Sequence, residues 1–552
     1  MRTSIATVSV SGTLAEKLTA IAAAGFDGIE LFENDLLASP LSPEEVRLRA
    51  ADLGLTIDLY QPFRDFEAMP ADSLSAGMRR AERKFRLMER LGADLLLVCS
   101  NVSPAAIDSD DLAADQLRSL ASLAAEYGIR IAYEALAWGR HVDDYLHAWR
   151  IVRQAGHPNL GVCLDSFHIL SRGSDPIGIE AIPGEKIFFL QLADAPLLAM
   201  DVLQWSRHYR CFPGQGMLDV AGLVGHALRA GYAGPLSLEV FNDVFRQADA
   251  RRTALDGMRS LIALDVPEPV VPSGFAFAEL AAADPGPLGE MLTALGFART
   301  GDQLWEQGAA RIVVREAPGK AALAAIGLES PDPDASMARA EALRAGVVPG
   351  ERAIAAPDGT RITFRPPASP GPVTGHVVEI DHVALTQPWH HFDGAALFYR
   401  AVLALTPQPS LEVPDPYGLL RSRAMNAGPV RVVLNITQVQ GLPSQHIALA
   451  CDDLVATARA LPPGLLLPIP ANYHDDLDAR YDLPPDYRDL GILYDRDEHG
   501  EFLHLYTVTL GHVFFELVQR IGGYRGYGAV NAPVRLAVQH ALAAGEGQVP
   551  PQ

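Results

Sequence analysis

Four side chains pose the first chemical question. Glu134 in "IAYEAL", Asp165 in "GVCLDS", Gln191 in "FFLQLAD" and Glu239 in "LSLEVF" each interrupt a short apolar run near its C-terminal end. A buried carboxylate without a partner costs several kcal/mol, so three brought together require a cation. Separate Arg or Lys partners would serve one carboxylate at a time. Four polar groups in register on consecutive strands favour one shared divalent ion, and oxygen ligands favour Mg²⁺, Mn²⁺ or Co²⁺. His168 lies three residues past Asp165, where it could work as a general acid and base, although a lone histidine is more often structural. Arg64 in "YQPFRDFE" and Ser206 and Arg210 in "WSRHYRCFPGQG" follow strands on the same face. Arginine forks match carboxylates, which points to an anionic substrate, unless these two only balance Asp65, Glu67 or the metal carboxylates.

A second constellation lies in the other half of the chain. His382 in "EIDHVAL", His446 in "SQHIALACDD" and Glu516 in "HVFFELVQR" stand on separate strand-like runs. Two histidines and one carboxylate form the facial triad of non-haem Fe(II) oxygenases. Each histidine alone would read as structural; the ordered trio predicts a second divalent metal, Mg²⁺ or Fe²⁺.

The elements that must position the first set are strands alternating with helices. Strand-like runs occur at 4–9, 28–32, 56–62, 94–100, 130–136, 161–167, 187–194 and 236–241. Helical periodicity, as in 13–26 and 112–128, fills most of the gaps. Eight such alternations over about 260 residues predict an α/β fold, a (β/α)8 TIM barrel, whose strand ends converge on one face. A doubly wound sheet is the rival, but no glycine-rich loop follows the first strand. The proline-rich "DVPEPVVPSG" reads as a linker, so the expected boundaries are a barrel over 1–265 and a linker over 266–274. A second domain is expected over 275–540 and a disordered tail over 541–552. Within the second domain, runs at 310–316, 375–386, 430–437, 445–453, 492–509 and 512–519 read as strands. The stretches 284–297 and 392–405 read as helices, and a proline-rich hinge at 365–374 divides the whole into 275–365 and 376–540. An α+β architecture follows, a β-α-β-β-β unit used at least twice around a cavity.

Bulk properties set limits. The net charge of −22 over 552 residues argues against nucleic acid or an anionic membrane as partner. The four cysteines show no CxxC spacing and read as buried thiols of a cytoplasmic protein. The N-terminus lacks the apolar core of a signal peptide, and no run is long enough to span a membrane. A small-molecule substrate and a homo-oligomer are expected.

With these residues in view, a resemblance becomes visible. "GFDGIELFENDLL", "QPFRDFE", "RAERKF", "YEALAWGRHV", "LDSFH", "QLADAP", "WSRHYRCFPGQG" and "LSLEVFND" resemble the bacterial two-domain 3-dehydroshikimate dehydratases of the xylose-isomerase-like sugar phosphate isomerase/epimerase superfamily. The resemblance spans almost all of 1–260, and the family's metal positions match Glu134, Asp165, Gln191 and Glu239. It implies dehydration of 3-dehydroshikimate to protocatechuate in quinate and shikimate catabolism, with His168 as base and Arg64, Arg210 and Ser206 holding the substrate. "DHVAL", "QHIAL", "ILYDRDEHGEFLHLYT" and "FFELVQRIGGYRGYG" resemble 4-hydroxyphenylpyruvate dioxygenase, of the vicinal-oxygen-chelate superfamily, over about 376–540. That resemblance implies a vicinal-oxygen-chelate domain with metal ligands His382, His446 and Glu516 and a degenerate first half. Two alternatives stay open: a sugar or hydroxypyruvate isomerase on the same barrel, and a chain whose main activity is a C-terminal Fe(II) dioxygenase.

Overall fold

Residues that alternate between two apolar environments close the first sheet. In the computed structural model, which describes residues 1–267, 269–437 and 445–545, two units are distinguished, Met1–Val266 and Pro267–Gln552. The first holds eight strands: β1 (Thr3–Ala6), β2 (Gly28–Phe32), β3 (Thr56–Phe63), β4 (Leu95–Cys99), β5 (Arg130–Glu134), β6 (Leu160–Asp165), β7 (Ile187–Leu192) and β8 (Leu236–Leu238). They pair in parallel in chain order, and β8 returns to β1 to close the barrel. Because side chains alternate across a strand, Leu96 and Val98 pack outward against the helices while Leu95, Leu97 and Cys99 fill the interior. The same alternation sends Ile131, Val162, Leu190 and Leu238 outward. Glu134, Asp165, Gln191 and Glu239 are therefore turned into the barrel. The helices between the strands are locally encoded. Thr13 and Glu16 form a reciprocal capping box at the helix Leu14–Ala24, and Gly25 ends it at φ 85°.

The second unit contains two sheets of repeated modules. Each module is a strand, a helix and then further strands, and the four leading strands are Gly274–Ala282, Ala322–Glu329, Val377–Thr386 and Gln445–Cys451. The first pair of leading strands runs antiparallel and joins two modules into one sheet; the second pair does the same for the other. The β-α-β-β-β unit expected at least twice thus occurs four times. The short strands Ala298–Arg299 and Gly346–Val347 hide the repeat in the sequence, since two residues carry no periodicity.

Two expectations need correction. The single run at 492–509 is a hairpin of Leu493–Arg496 and Gly500–Tyr506. Asp497 turns the chain by accepting backbone N–H bonds from His499 and Gly500 through Oδ1. The tail expected from 541 begins inside a helix, Ala532–Gly545. Leu536 anchors that helix against Val413 and Leu420; residues 546–552, and Glu268 of the expected linker, lie outside the described residues.

One buried carboxyl ties the loops beyond β3 and β4 to β5. Glu67 Oε1 accepts the Asn101 backbone N–H at 2.5 Å and the Tyr133 hydroxyl at 3.0 Å, while Asn101 Nδ2 donates to the Glu67 carbonyl at 2.7 Å. Burial, and less so Asp65, push Glu67 up to about 7. A raised carboxyl favours folding while it stays protonated, so this stability is complete below about pH 4.5 and is lost as pH rises through about 7. Glu67→Gln is therefore expected to flatten the fall in melting temperature between pH 5 and 8, a loss in the wild type of up to about 3 kcal/mol. Parallel melting curves for both proteins across that range would contradict the assignment.

Candidate metal centres

Register brings the predicted barrel residues together. Cys99 pairs with Glu134, Glu134 with Cys163, Asp165 with Gln191, and Gln191 with Ser237, two residues before Glu239. All four side chains are buried, and Glu134 is only 2% exposed. Asp165 does two jobs. Its Oδ1 caps the short helix Ser166–Ser171 by accepting the His168 N–H at 3.0 Å, which leaves Oδ2 directed into the barrel.

The loop after β7 brings a cation to these carboxylates. Asp194 folds it back by accepting the backbone N–H groups of Gly214, Gly216 and Leu218. Gly216 must be glycine, because a Cβ there would lie 2.3 Å from Asp194 Oδ1. Arg210, 1% exposed, is thereby driven inward. Its Nη1 donates to Asp165 Oδ2 at 2.8 Å and to Glu239 Oε2 at 3.0 Å, and its Nη2 donates to Ser206 Oγ at 2.8 Å. Arg210 was expected to grip substrate; here it is engaged with the carboxylates instead.

Glu30 is a carboxylate that the sequence reading passed over. It lies on β2, fully buried, and accepts Gln191 Nε2 at 2.6 Å, Gln61 Nε2 at 2.7 Å and the Ser237 hydroxyl. Because the Gln191 amide nitrogen is committed to Glu30, its carbonyl oxygen, which also accepts the Cys163 thiol at 3.3 Å, is the end with capacity for a ligand role. The signal was available: Glu30 interrupts "GIELF" as Glu134 interrupts "IAYEAL".

Four carboxylates are therefore buried in the barrel with one guanidinium, which bonds two of them. Burial raises Glu30, Glu134 and Glu239, with Asp165 and Glu239 adding to the effect at Glu134. Burial also acts on Asp165, but Arg210 and His168 outweigh it and hold Asp165 low. Glu134 Oε1 is buried without any hydrogen-bond partner. An orphaned carboxylate oxygen beside excess negative charge is what a divalent cation relieves, so these oxygen donors fit one.

His168 and three arginines line the cavity over this cluster. His168 Nε2 lies 3.8 Å from Glu134 Oε1, and its Nδ1 accepts the Ala137 N–H at 3.1 Å. Burial, together with Arg210, Arg207 and Arg64, takes its pKa down to about 3, so the imidazole is neutral. Arg64, predicted, and Arg207, not predicted, both face the cavity, and among the described residues neither has a carboxylate within 4 Å. Arg207 lies over the Trp138 and Phe241 rings. Nothing distinguished it in sequence from the adjacent Arg210.

In the second unit the predicted trio also converges. His382 Nε2, His446 Nε2 and Glu516 Oε2 are mutually 3.2 Å apart. Adjacent ligands about 2.1 Å from an octahedral ion stand about 3.0 Å apart, so one divalent cation fits this triangle. Outer partners fix the ligands. Asp381 pairs with His382 Nδ1 at 2.8 Å and is itself held by Arg520. His504 Nδ1 donates to Glu516 Oε1 at 2.7 Å. Among the described residues, the trio and the Glu134, Asp165 and His168 group are the clusters of such side chains close enough to hold an ion.

Comparison with known proteins supplies independent information. Residues 18–264 match the family described as the xylose isomerase-like TIM barrel. The full chain is 44% identical to the 3-dehydroshikimate dehydratase of Pseudomonas putida, with 100% of both covered. It is 45% identical to the enzyme of the same name from Pseudomonas aeruginosa, covering 97% of this chain and 98% of the relative. A solved xylose isomerase-like TIM barrel/4-hydroxyphenylpyruvate dioxygenase fusion protein matches with a TM-score of 0.89 at 42% identity, over 98% of this chain and 99% of that one.

Elemental analysis of the chain equilibrated with Mg²⁺ or Mn²⁺ is expected to give two ions per molecule. Glu239→Ala and Glu516→Ala are expected to remove one each, and Glu30→Ala to weaken the barrel site about 10- to 100-fold by releasing Gln191. Unchanged uptake in Glu30→Ala would remove the orienting role.

Proposed function

The chain belongs to the two-domain 3-dehydroshikimate dehydratases, and on that premise we infer that its barrel converts 3-dehydroshikimate to 3,4-dihydroxybenzoate (protocatechuate) and water. It is a lyase. The observation that carries the reading at the level of chemistry is the buried carboxylate cluster, with its orphaned Glu134 oxygen and one shared arginine. A divalent cation held by Glu134, Asp165, Gln191 and Glu239 would supply Lewis acidity toward the substrate ketone.

The chain's own groups account for the rest. The substrate bears a ring carboxylate, and Arg64 and Arg207 are the cavity arginines without a carboxylate partner. We assign them to that carboxylate in place of Arg210. Arg210 instead holds Asp165, Glu239 and Ser206 in place. His168 is the proposed base. Its imidazole is neutral, but its Nδ1 lone pair is taken by the Ala137 N–H and the surrounding guanidinium groups depress its basicity, so it acts as a base once that backbone bond is released. Binding a singly charged anionic substrate between Arg64 and Arg207 offsets one unit of that positive charge, so the base strengthens when substrate arrives. His168 then takes the ring proton α to the ketone and delivers it to the hydroxyl that departs from the β carbon. Aromatisation draws the reaction forward. Trp138, whose ring centroid is 5.0 Å from that of His168, and Phe241 give the cavity its apolar walls.

Incubation with 3-dehydroshikimate and Mg²⁺ is expected to produce the ultraviolet absorbance of a catechol acid; its absence would favour the isomerase alternative. Glu239→Ala is expected to abolish that product and Glu516→Ala to leave much of it; the reverse pattern would transfer turnover to the second unit. Arg207→Ala should raise KM about tenfold or more, as expected for a lost charged hydrogen bond. His168→Asn should lower kcat by about 10²- to 10⁴-fold with little change in KM. An unaltered KM in the arginine variant would return the carboxylate to Arg210.

A further inference from the structure

The Pro267–Gln552 unit contains a cavity of about 620 Å³, within the range of small-molecule sites. His446, Asn435, Leu420 and Arg535 border both this cavity and the smaller chamber over His382 and Glu516. Arg535 enters from the helix Ala532–Gly545 and is only 6% exposed. Its Nη1 donates to Gln539 Oε1 at 2.7 Å, and the guanidinium lies over the rings of Tyr506 and Phe514. Its Nε is buried with no hydrogen-bond partner, and among the described residues no carboxylate lies within 4 Å.

With a divalent ion bound, the buried end of the cavity would carry net positive charge, which favours an anion. Two neutral imidazoles, one carboxylate and a divalent ion leave one positive charge, and Arg535 makes two. Asp415, which also lines the cavity and is hydrogen-bonded to His540 at 3.2 Å, offsets one of these two. Where the cavity reaches solvent, Lys320 and Asp284 stand against each other and leave the buried Arg535 as the uncompensated charge. A two-histidine, one-carboxylate site leaves positions open for oxygen donors.

We propose that this cavity binds a hydroxylated ring carboxylate, with its carboxylate on Arg535 and its hydroxyl oxygens turned toward His382, His446 and Glu516. The choice of ring compound rests on the function assigned to the barrel, whose substrate and product both have this chemistry. Anchored on arginine, the carboxylate leaves the metal positions to the hydroxyls.

The test counts binding events on the full chain loaded with Mg²⁺, by calorimetry, with 3,4-dihydroxybenzoate and separately with shikimate, which has the hydroxyls and carboxylate but no ketone. One event per chain is expected to weaken tenfold or more in Arg535→Gln and to recover in part in Arg535→Lys, with melting temperatures confirming that both variants fold. Loss of an event seen only with dihydroxybenzoate identifies a product site; loss of one seen with shikimate identifies a site for the unsaturated, non-aromatic ring. Equal stoichiometry and affinity in wild type and Arg535→Gln for both ligands would overturn the proposal. Failure of the wild type to form dihydroxybenzoate from 3-dehydroshikimate would sink the barrel assignment and leave this count of sites intact.

Discussion

Electrostatic repulsion inside a closed barrel is the constraint from which the rest of the first unit follows. Glu30, Glu134, Asp165 and Glu239 are turned into one low-dielectric space, where each ionised carboxylate raises the cost of the next. Arg210 offsets part of that cost by bridging Asp165 and Glu239. Its position depends on a loop folded around Asp194 and on a glycine that leaves room for it. The remaining negative charge is the affinity for a cation. Folding and the proposed metal binding thus draw on the same residues.

Around that cluster, polar groups are committed so as to leave one useful end free. Glu30 takes the amide nitrogen of Gln191 and leaves its carbonyl oxygen. Asp165 spends one oxygen on a helix cap and turns the other into the barrel, where Arg210 meets it. In the second unit Asp381 and His504 do the same for His382 and Glu516. Such outer contacts lower the entropy of the ligating groups before any ion binds, which is how a site becomes selective in geometry. The arginines divide likewise: Arg210 is bonded to two carboxylates, whereas Arg64 and Arg207 have none within 4 Å among the described residues.

The second unit shows how repetition produces a cavity. Four modules pair through their leading strands, and the later pair carries the two histidines and, on the strand Val513–Gly522, the glutamate. The earlier pair contains no histidine over 275–365 and cannot build the same trio. The trio's chamber lies in the later half, where the final helix places Arg535 over it.

The strands that carry the barrel site were legible because their apolar runs are continuous and a charged residue within one stands out. Glu134, Asp165, Gln191 and Glu239 were read that way, and so were His382, His446 and Glu516. The same signal was present at Glu30. What the sequence could not disclose was which cation faces which carboxylate. Arg207 and Arg210 are three residues apart in composition terms and indistinguishable as side chains; only the loop geometry buries one among the acids and leaves the other on the cavity. The two-residue strands and the turn at Asp497 were hidden because they are set by long-range pairing and one side-chain bond. Local pattern therefore determined the elements and the ligand types, since both follow from periodicity and burial along a strand. Tertiary structure alone decided the pairing of charges, because that depends on distances between residues far apart in the chain.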